Sequence, residues 1–272
     1  KIDSRFGNVT LVPVDTITHA FQNTNDTGGM TGQYNYLGNL GSPRLSRLFF
    51  DRRDASQFFF TDPYDLTVLR PEDIIFTNTL SPFTNLSYYK TFDSRNGEER
   101  FKSYFAINAN KRFGVGFYID YLYGRGLYAS QSTAFFNGGL FASYRGDKYN
   151  MHFIFNNDNL KMAENGGIAD DRYITNPLDM AEGKKEYKSY DIPTNLNKVW
   201  NHNTSYHVFM TQRYNLGFHK EKTDSVTKDS VRIIQEFVPV TSFIHTLQVD
   251  LNGRKYISYD DEQNQKYFEH NY

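Results

Sequence analysis

The chain has 272 residues, with 30 basic and 31 acidic side chains and a formal net charge of -1, which excludes an electrostatic nucleic-acid binder. It has no cysteine, which removes disulfides, zinc-thiolate sites and thiol catalysis. Mean hydropathy is -0.65; this leaves a transmembrane barrel open, because barrel strands are apolar on one face only. No apolar run approaches the ~18–20 residues of a membrane helix. Any crossing would be made by strands, since only helices and closed barrels satisfy their backbone in lipid.

Residues 1–80 are rich in Asn, Thr, Asp, Gly and Pro and carry short aromatic clusters such as Phe58-Phe59-Phe60. No helix period appears, so this part reads as an irregular segment packed by its aromatics. Two readings of Asn39 to Arg52 stand side by side. In the favoured one, Gly38, Gly41 and Pro43 fix turns and a first strand. In the other, the stretch is a plug or lid inside a barrel, with Arg44, Arg47, Asp51 and Arg52 pairing with wall residues.

Residues 81–272 read as barrel strands. Phe83 to Phe92 is a strand, followed by a turn with Asn96-Gly97 as its hairpin signal. Phe101, Phe105 and Ile107 then alternate with Lys102, Tyr104 and Asn108. After Asn110-Lys111-Arg112 comes the most regular segment. Phe113, Val115, Phe117, Ile119, Tyr121 and Tyr123 point one way, and Gly114, Gly116, Tyr118, Asp120, Leu122 and Gly124 the other, a period of two that no amphipathic helix produces. Phe136, Leu140, Ala142 and Tyr144 oppose Asn137, Gly139, Ser143 and Arg145. Gly146-Asp147-Lys148 is a tight turn. Tyr149, Met151, Phe153 and Phe155 oppose Asn150, His152 and Asn156, with Ile154 as an exception. A long polar loop is expected over 157–203. Beyond it, Tyr206, Val208, Met210, Tyr214, Leu216 and Phe218 oppose His207, Thr211, Arg213, Asn215 and Gly217. Val231 to Leu251 and Lys255 to Tyr259 look less regular, and Pro239 requires a bulge, an edge or a strand break.

Alternation alone also describes a soluble antiparallel sheet with one wet face. Strand length and connection rhythm favour the membrane barrel. Several segments reach the ~9–11 residues that a tilted strand needs to span hydrocarbon, and short links alternate with long ones, as periplasmic turns alternate with external loops. The fold class expected is therefore all-β, an antiparallel transmembrane β-barrel with an irregular N-terminal segment.

Stretches spread over most of the chain carry a family resemblance. They include Ala20-Phe21-Gln22-Asn23-Thr24, Gly38-Asn39-Leu40-Gly41-Ser42-Pro43, Phe49-Phe50-Asp51-Arg52, Asn78-Thr79-Leu80-Ser81-Pro82-Phe83-Thr84-Asn85-Leu86, Glu99-Arg100-Phe101, Ile119-Asp120-Tyr121-Leu122-Tyr123, Asn165-Gly166-Gly167-Ile168 and Asp191-Ile192-Pro193-Thr194-Asn195-Leu196. On these the chain resembles the "putative porin" family of the Bacteroidota outer membrane. The resemblance implies an exported barrel with a cleaved signal peptide. Members of that family are longer, so this sequence is expected to be the N-terminal part of a longer barrel.

The polar-face residues are the functional candidates. Lys102, Asp120, Asn137, Arg145, Asn150, His152, Asn156, His207 and Arg213 would line a lumen, where charged and polar groups set solute preference. A plainer alternative, solvation or structural ion pairs, stays open for each. Enzymatic motifs are weak: the histidines are dispersed, and no Gly-x-Ser-x-Gly, His-Glu-x-x-His or phosphate-loop pattern occurs. No cofactor, metal or catalytic residue is expected. The expected function is passive passage of small hydrophilic solutes. The alternatives are a structural barrel subunit of a larger outer-membrane complex and, third, a barrel enzyme. Expected partners are outer-membrane lipid and other outer-membrane proteins, and no nucleic acid. Three Asp-Ser/Thr-apolar triplets match the O-glycosylation motif used by Bacteroidota and make Thr16, Ser225 and Ser230 candidates for modification.

Overall fold

A computed structural model describes residues 1–13, 33–92, 97–181, 188–227, 230–259 and 262–271. Its main body is a seven-stranded antiparallel sheet in simple chain order. The strands are β3 (Phe83–Lys90), β4 (Glu98–Asn108), β5 (Phe113–Arg125), β6 (Ser132–Arg145), β7 (Tyr149–Glu164), β8 (Val199–Thr227) and β9 (Ser230–Ser258). Two short strands precede them, β1 (Tyr34–Tyr36) and β2 (Arg44–Ser46), paired only with each other.

Local chemistry explains the tight turns. The Asn110 carboxamide oxygen accepts from the backbone N–H groups of Arg112 and Phe113 at 2.8 and 2.9 Å, an Asx turn that redirects the chain between β4 and β5. Gly146 N–H donates to the Tyr149 carbonyl and closes the link from β6 to β7. These short links lie at one end of the sheet, the turn end. The connections 91–97, 126–131 and 165–198 lie at the other, the loop end. Asn96 falls outside the described residues, but Lys90 faces Glu99 as that hairpin requires.

Two expectations need correction. The polar loop spans 165–198, not 157–203, because β7 continues to Glu164 and β8 begins at Val199. Asn157, Asn159 and Lys161 occupy its apolar-side positions, so the polarity contrast vanishes where the backbone ladder does not. The second concerns residues beyond 230, which form one continuous strand with Phe243, Leu247, Val249 and Leu251 outward. Thr241 faces Leu216 and Pro239 faces Gly217, so Val240 is the extra residue of a bulge at the proline. Only glycine fits opposite: a Cβ on Gly217 would lie 2.0 Å from the Val238 carbonyl oxygen. Ser225 and Ser230 lie on the strands flanking 228–229, with side chains outside the described set, and Thr16 is outside the described residues altogether.

The long connection holds α1 (Arg172–Thr175) and α2 (Pro177–Met180). After β9, α3 (Glu262–Asn271) folds back, and its buried Asn264 bonds the Asn197 N–H and carbonyl and the Tyr259 carbonyl.

Register gives the sheet two faces. On the inner face, the N-terminal segment packs over β4 to β8. One core cluster joins Ile2 and Ile74 to Ala106, Tyr118, Phe141, Ile154 and Phe209. The other joins Leu40 and Tyr64 to Leu122, Phe135 and Leu160. Ile154, the exception to the alternation, is therefore a docking residue for the N-terminal segment. Close packing depends on Gly41, whose φ of +78° suits glycine and whose Cβ would lie 2.6 Å from Leu122 Cδ2. The outer face carries exposed Val115, Tyr121, Phe136, Leu140, Tyr206 and Leu251. β3 and the described side chains of β9 are bare on nearly all sides, and these two strands end the ladder.

Phe135 is 1% exposed and meets Tyr64 edge-on at 5.5 Å. Phe135→Ala is expected to cost ~3–5 kcal/mol through lost burial and a residual cavity. Denaturant titration, with protease cleavage of residues 33–80 as second readout, checks this. Unchanged midpoint and cleavage rate would show that the segment does not dock here.

Candidate functional site

The strongest concentration of polar chemistry is the interface between the N-terminal segment and the inner face. The segment has few regular hydrogen bonds of its own, and side chains of the sheet donate to its carbonyls. Thr133 Oγ1 donates to Leu40 O at 2.6 Å, Arg100 Nη2 to Leu66 O at 3.2 Å and Asn156 Nδ2 to Leu69 O at 3.0 Å. Tyr104 Oη donates to Ile75 O at 2.9 Å and Asn203 Nδ2 to Phe60 O at 3.2 Å. Nearer the turn end, Arg213 Nη2 donates to Phe6 O at 3.2 Å and Thr246 Oγ1 to Arg5 O at 2.9 Å.

Two of the segment's own charges find described partners within the segment. Arg44 stacks on Tyr34 at 4.3 Å and pairs with Asp65, and Arg52 Nε donates to Ser46 O at 2.9 Å. Both contacts stay within the segment. The segment docks as a unit on the inner face of the sheet. The phenol of Tyr64 is pushed up to about 12, chiefly by burial and then by the Glu164 charge, and stays protonated.

At the centre, Arg100 grips Asp120 with Nε and Nη2 at 2.9 and 2.6 Å, and Arg100 is only 4% exposed. Asp120, Asn137, Asp158, Ser205 and Asn252 are successive cross-strand neighbours on this face. His207 Nδ1 lies 2.7 Å from Asp250, and its Nε2 lies 3.5 Å from Asp158, an ion-pair distance rather than a hydrogen bond. Both ring nitrogens thus face carboxylates, and neither faces a hydroxyl as a catalytic base would. Six buried residues of the inner face, Tyr118, Asn137, Asn156, Asp158, Asn203 and Ser205, have side-chain oxygen or nitrogen atoms without a hydrogen-bond partner.

The sequence-derived candidates all fall on this face by register, in three settings. Asp120, Asn137, Asn156 and His207 belong to the central cluster. Arg145, Asn150, His152 and Arg213 line a cavity of about 230 Å³ with Phe6, Gly7, Asn8 and Val9. Lys102 stands exposed, outside the covered area. Sequence reasoning missed Arg100, Asp158, Asn203, Ser205 and Asp250. Asp158 was hidden because it fell in the supposed loop, and Arg100 because its strand start was not placed. Beside the cluster, a groove of about 560 Å³ runs between the segment and β9, lined by Arg53, Asp62, Arg70, Glu72, Asp250 and Asn252 among others.

A family described as "Putative porin" matches residues 1–272. The chain belongs to that family. No curated protein and no solved structure matches it. Porin-family proteins are β-rich, associated with the outer membrane in general and non-catalytic, and this chain's sheet and its lack of cysteine accord with that. Among the described residues, no group of three or more His, Cys, Asp or Glu side chains could hold a metal ion. No described helix of this porin-family chain is long and apolar enough to cross a membrane, which says nothing about crossing by strands.

Arg100→Ala would leave the Asp120 carboxylate half-buried without its cation. It is expected to cost ~3–5 kcal/mol, with the double change Arg100→Ala/Asp120→Ala recovering part of that loss. Thermal unfolding of the variants measures it. A double variant no more stable than Arg100→Ala would place the worth of Arg100 in its contact with Leu66 rather than in the ion pair.

Proposed function

We propose that the sheet is part of the wall of a β-barrel in the outer membrane of a Bacteroidota cell, and that small hydrophilic solutes cross by the polar groove beside the N-terminal segment. The observation that carries this is the reversed polarity of the sheet: large apolar side chains are exposed outward and polar ones turn inward. On β5 the outward apolar rows from Phe113 to Tyr121 extend ~27 Å along the strand at ~3.4 Å per residue, or ~21 Å in height at a tilt of ~40°, close to the ~25 Å apolar band of outer-membrane barrels. In water such a surface would be an aggregation site; against lipid tails it is matched.

The same reading accounts for the bare edge strands. An unpaired row of N–H and C=O groups is not tolerated in hydrocarbon, so β3 and β9 are each taken up by a further strand in the closed barrel. The short links then face the periplasm and the long connections the exterior. The N-terminal segment narrows the lumen, and the groove along β9 supplies the remaining polar path, with cations and carboxylates of both signs. The scaffold reading draws support from one feature, the exposed Phe49 and Phe50 packed edge-on at 5.7 Å on the N-terminal segment.

Leu140 is 55% exposed in the middle of the outer face. Leu140→Arg is expected to cost ~2–4 kcal/mol when folding is titrated in bilayers. A change within ~0.5 kcal/mol, normal for a water-facing site, would overturn the lipid-facing assignment. For the groove, Glu72→Lys with Asn252→Lys is expected to shift the reversal potential in planar bilayers toward anion preference. Identical conductance and reversal potential would remove the groove from the path.

A further inference from the structure

The outer face carries a second pattern that solute passage does not use. Lys161, His202 and Lys255 sit directly opposite one another on β7, β8 and β9. Two ammonium groups thus flank one imidazole, each at the ~4.5–5.5 Å Cβ spacing of cross-strand neighbours from it. Among the described residues, no carboxylate lies within ion-pair distance of any of the three. The row is nonetheless held in place. Asn159 meets the His202 ring at 2.9 Å, and the Lys161 ammonium stacks over the Trp200 ring at 4.3 Å. Beneath Lys255 on the same face is Gly253, over which the facing Thr204 hydroxyl leans, 3.2 Å from where a Cβ would stand.

Position adds to this. On β8 and β9 the continuous outward apolar rows end at Tyr206 and Leu251, then come Thr204 and Gly253, then His202 and Lys255, and beyond them Trp200 and Ile257. From Tyr206 to His202 is ~14 Å along the strand at ~3.4 Å per residue, or ~10 Å in height at a tilt of ~40°. That is headgroup depth rather than tail depth. Trp200, one step further on the same face, suits that interface, where the amphipathic indole is favoured.

We propose that Lys161, His202 and Lys255 form a binding site for the phosphate of a membrane lipid headgroup in the leaflet at the loop end. An anionic phosphate would neutralise the two ammonium groups on either side of His202, and its oxygens would accept from both. The inference rests on the membrane reading above, because only there does this face meet lipid.

The test uses the full chain in detergent micelles, with native mass spectrometry of its complexes with diphosphorylated lipid A and with the dephosphorylated lipid. The parent is expected to prefer the phosphorylated form. Lys161→Ala/Lys255→Ala is expected to bind it ~30-fold more weakly, each lysine contributing about fivefold. Lys111→Ala/Lys148→Ala, two charges removed at the turn end, is expected to bind like the parent. Unaltered heat-modifiable gel mobility confirms that each variant is folded. Equal binding of both lipids by the parent, or equal weakening in both variants, overturns the proposal. So does displacement of the lipid by equimolar inorganic phosphate, which would make the occupant a free anion. Vesicle flotation separates the two levels of failure: a parent that does not float removes the membrane reading and this site with it, whereas a floating parent without phosphate preference removes this site alone.

Discussion

A chain segment without regular secondary structure cannot be buried unless its peptide groups find partners. Residues 33–80 meet that constraint by borrowing donors from the sheet. Thr133, Arg100, Asn156, Tyr104 and Asn203 each donate to a different carbonyl of the segment. These donors come from neighbouring strands, so the segment is held across the sheet rather than along one strand. The polar character of the inner face is therefore partly structural. It is the surface on which an irregular chain can lie without losing its hydrogen bonds.

Two small apolar clusters set where that happens. Leu122, Phe135 and Leu160 meet Leu40 and Tyr64, while Tyr118, Phe141, Ile154 and Phe209 meet Ile2 and Ile74. Between the clusters lies the polar centre. Arg100 shows how the two functions meet in one residue: its guanidinium holds Asp120 on the wall and the Leu66 carbonyl on the segment. Around it, buried polar atoms at Asn137, Asp158 and Ser205 keep hydrogen-bonding capacity that the segment does not use. A buried group left so costs ~1–3 kcal/mol. Several together make this the part of the interface least fastened by protein contacts and most receptive to a polar guest.

Most of the sheet was legible from period two alone, because Phe113 to Gly124 and the strands after it sort their side chains by face. The pattern failed where both faces are polar. Asn157, Asn159 and Lys161 face outward beside inward Asp158, so the strand looked like loop. It also failed at Arg100 and Asp250, whose roles depend on partners reached only through pairing. The hydrogen bonding of residues 33–80 to the sheet was illegible for another reason. Carbonyls accept hydrogen bonds whatever their side chain, so no residue pattern marks a segment whose main chain is what the wall binds. Ile154, with Tyr118 and Leu122, was the visible trace: apolar side chains on the polar face.

Register ties the two faces together. A slip of one residue along a strand would move every side chain to the opposite face. On β8 it would send Phe209 and Asn203 outward and bring His202 in. The inner face resists this strongly, because Phe209 is buried against the segment and Asn203 is bonded to the Phe60 carbonyl. The outer face at Asn159, Thr204 and Gly253 offers little resistance of its own, having no apolar side chain to lose. The alignment of Lys161 and Lys255 on either side of His202 is therefore fixed from behind. The N-terminal segment holds the strands in register and leaves the outer row free to present its charge.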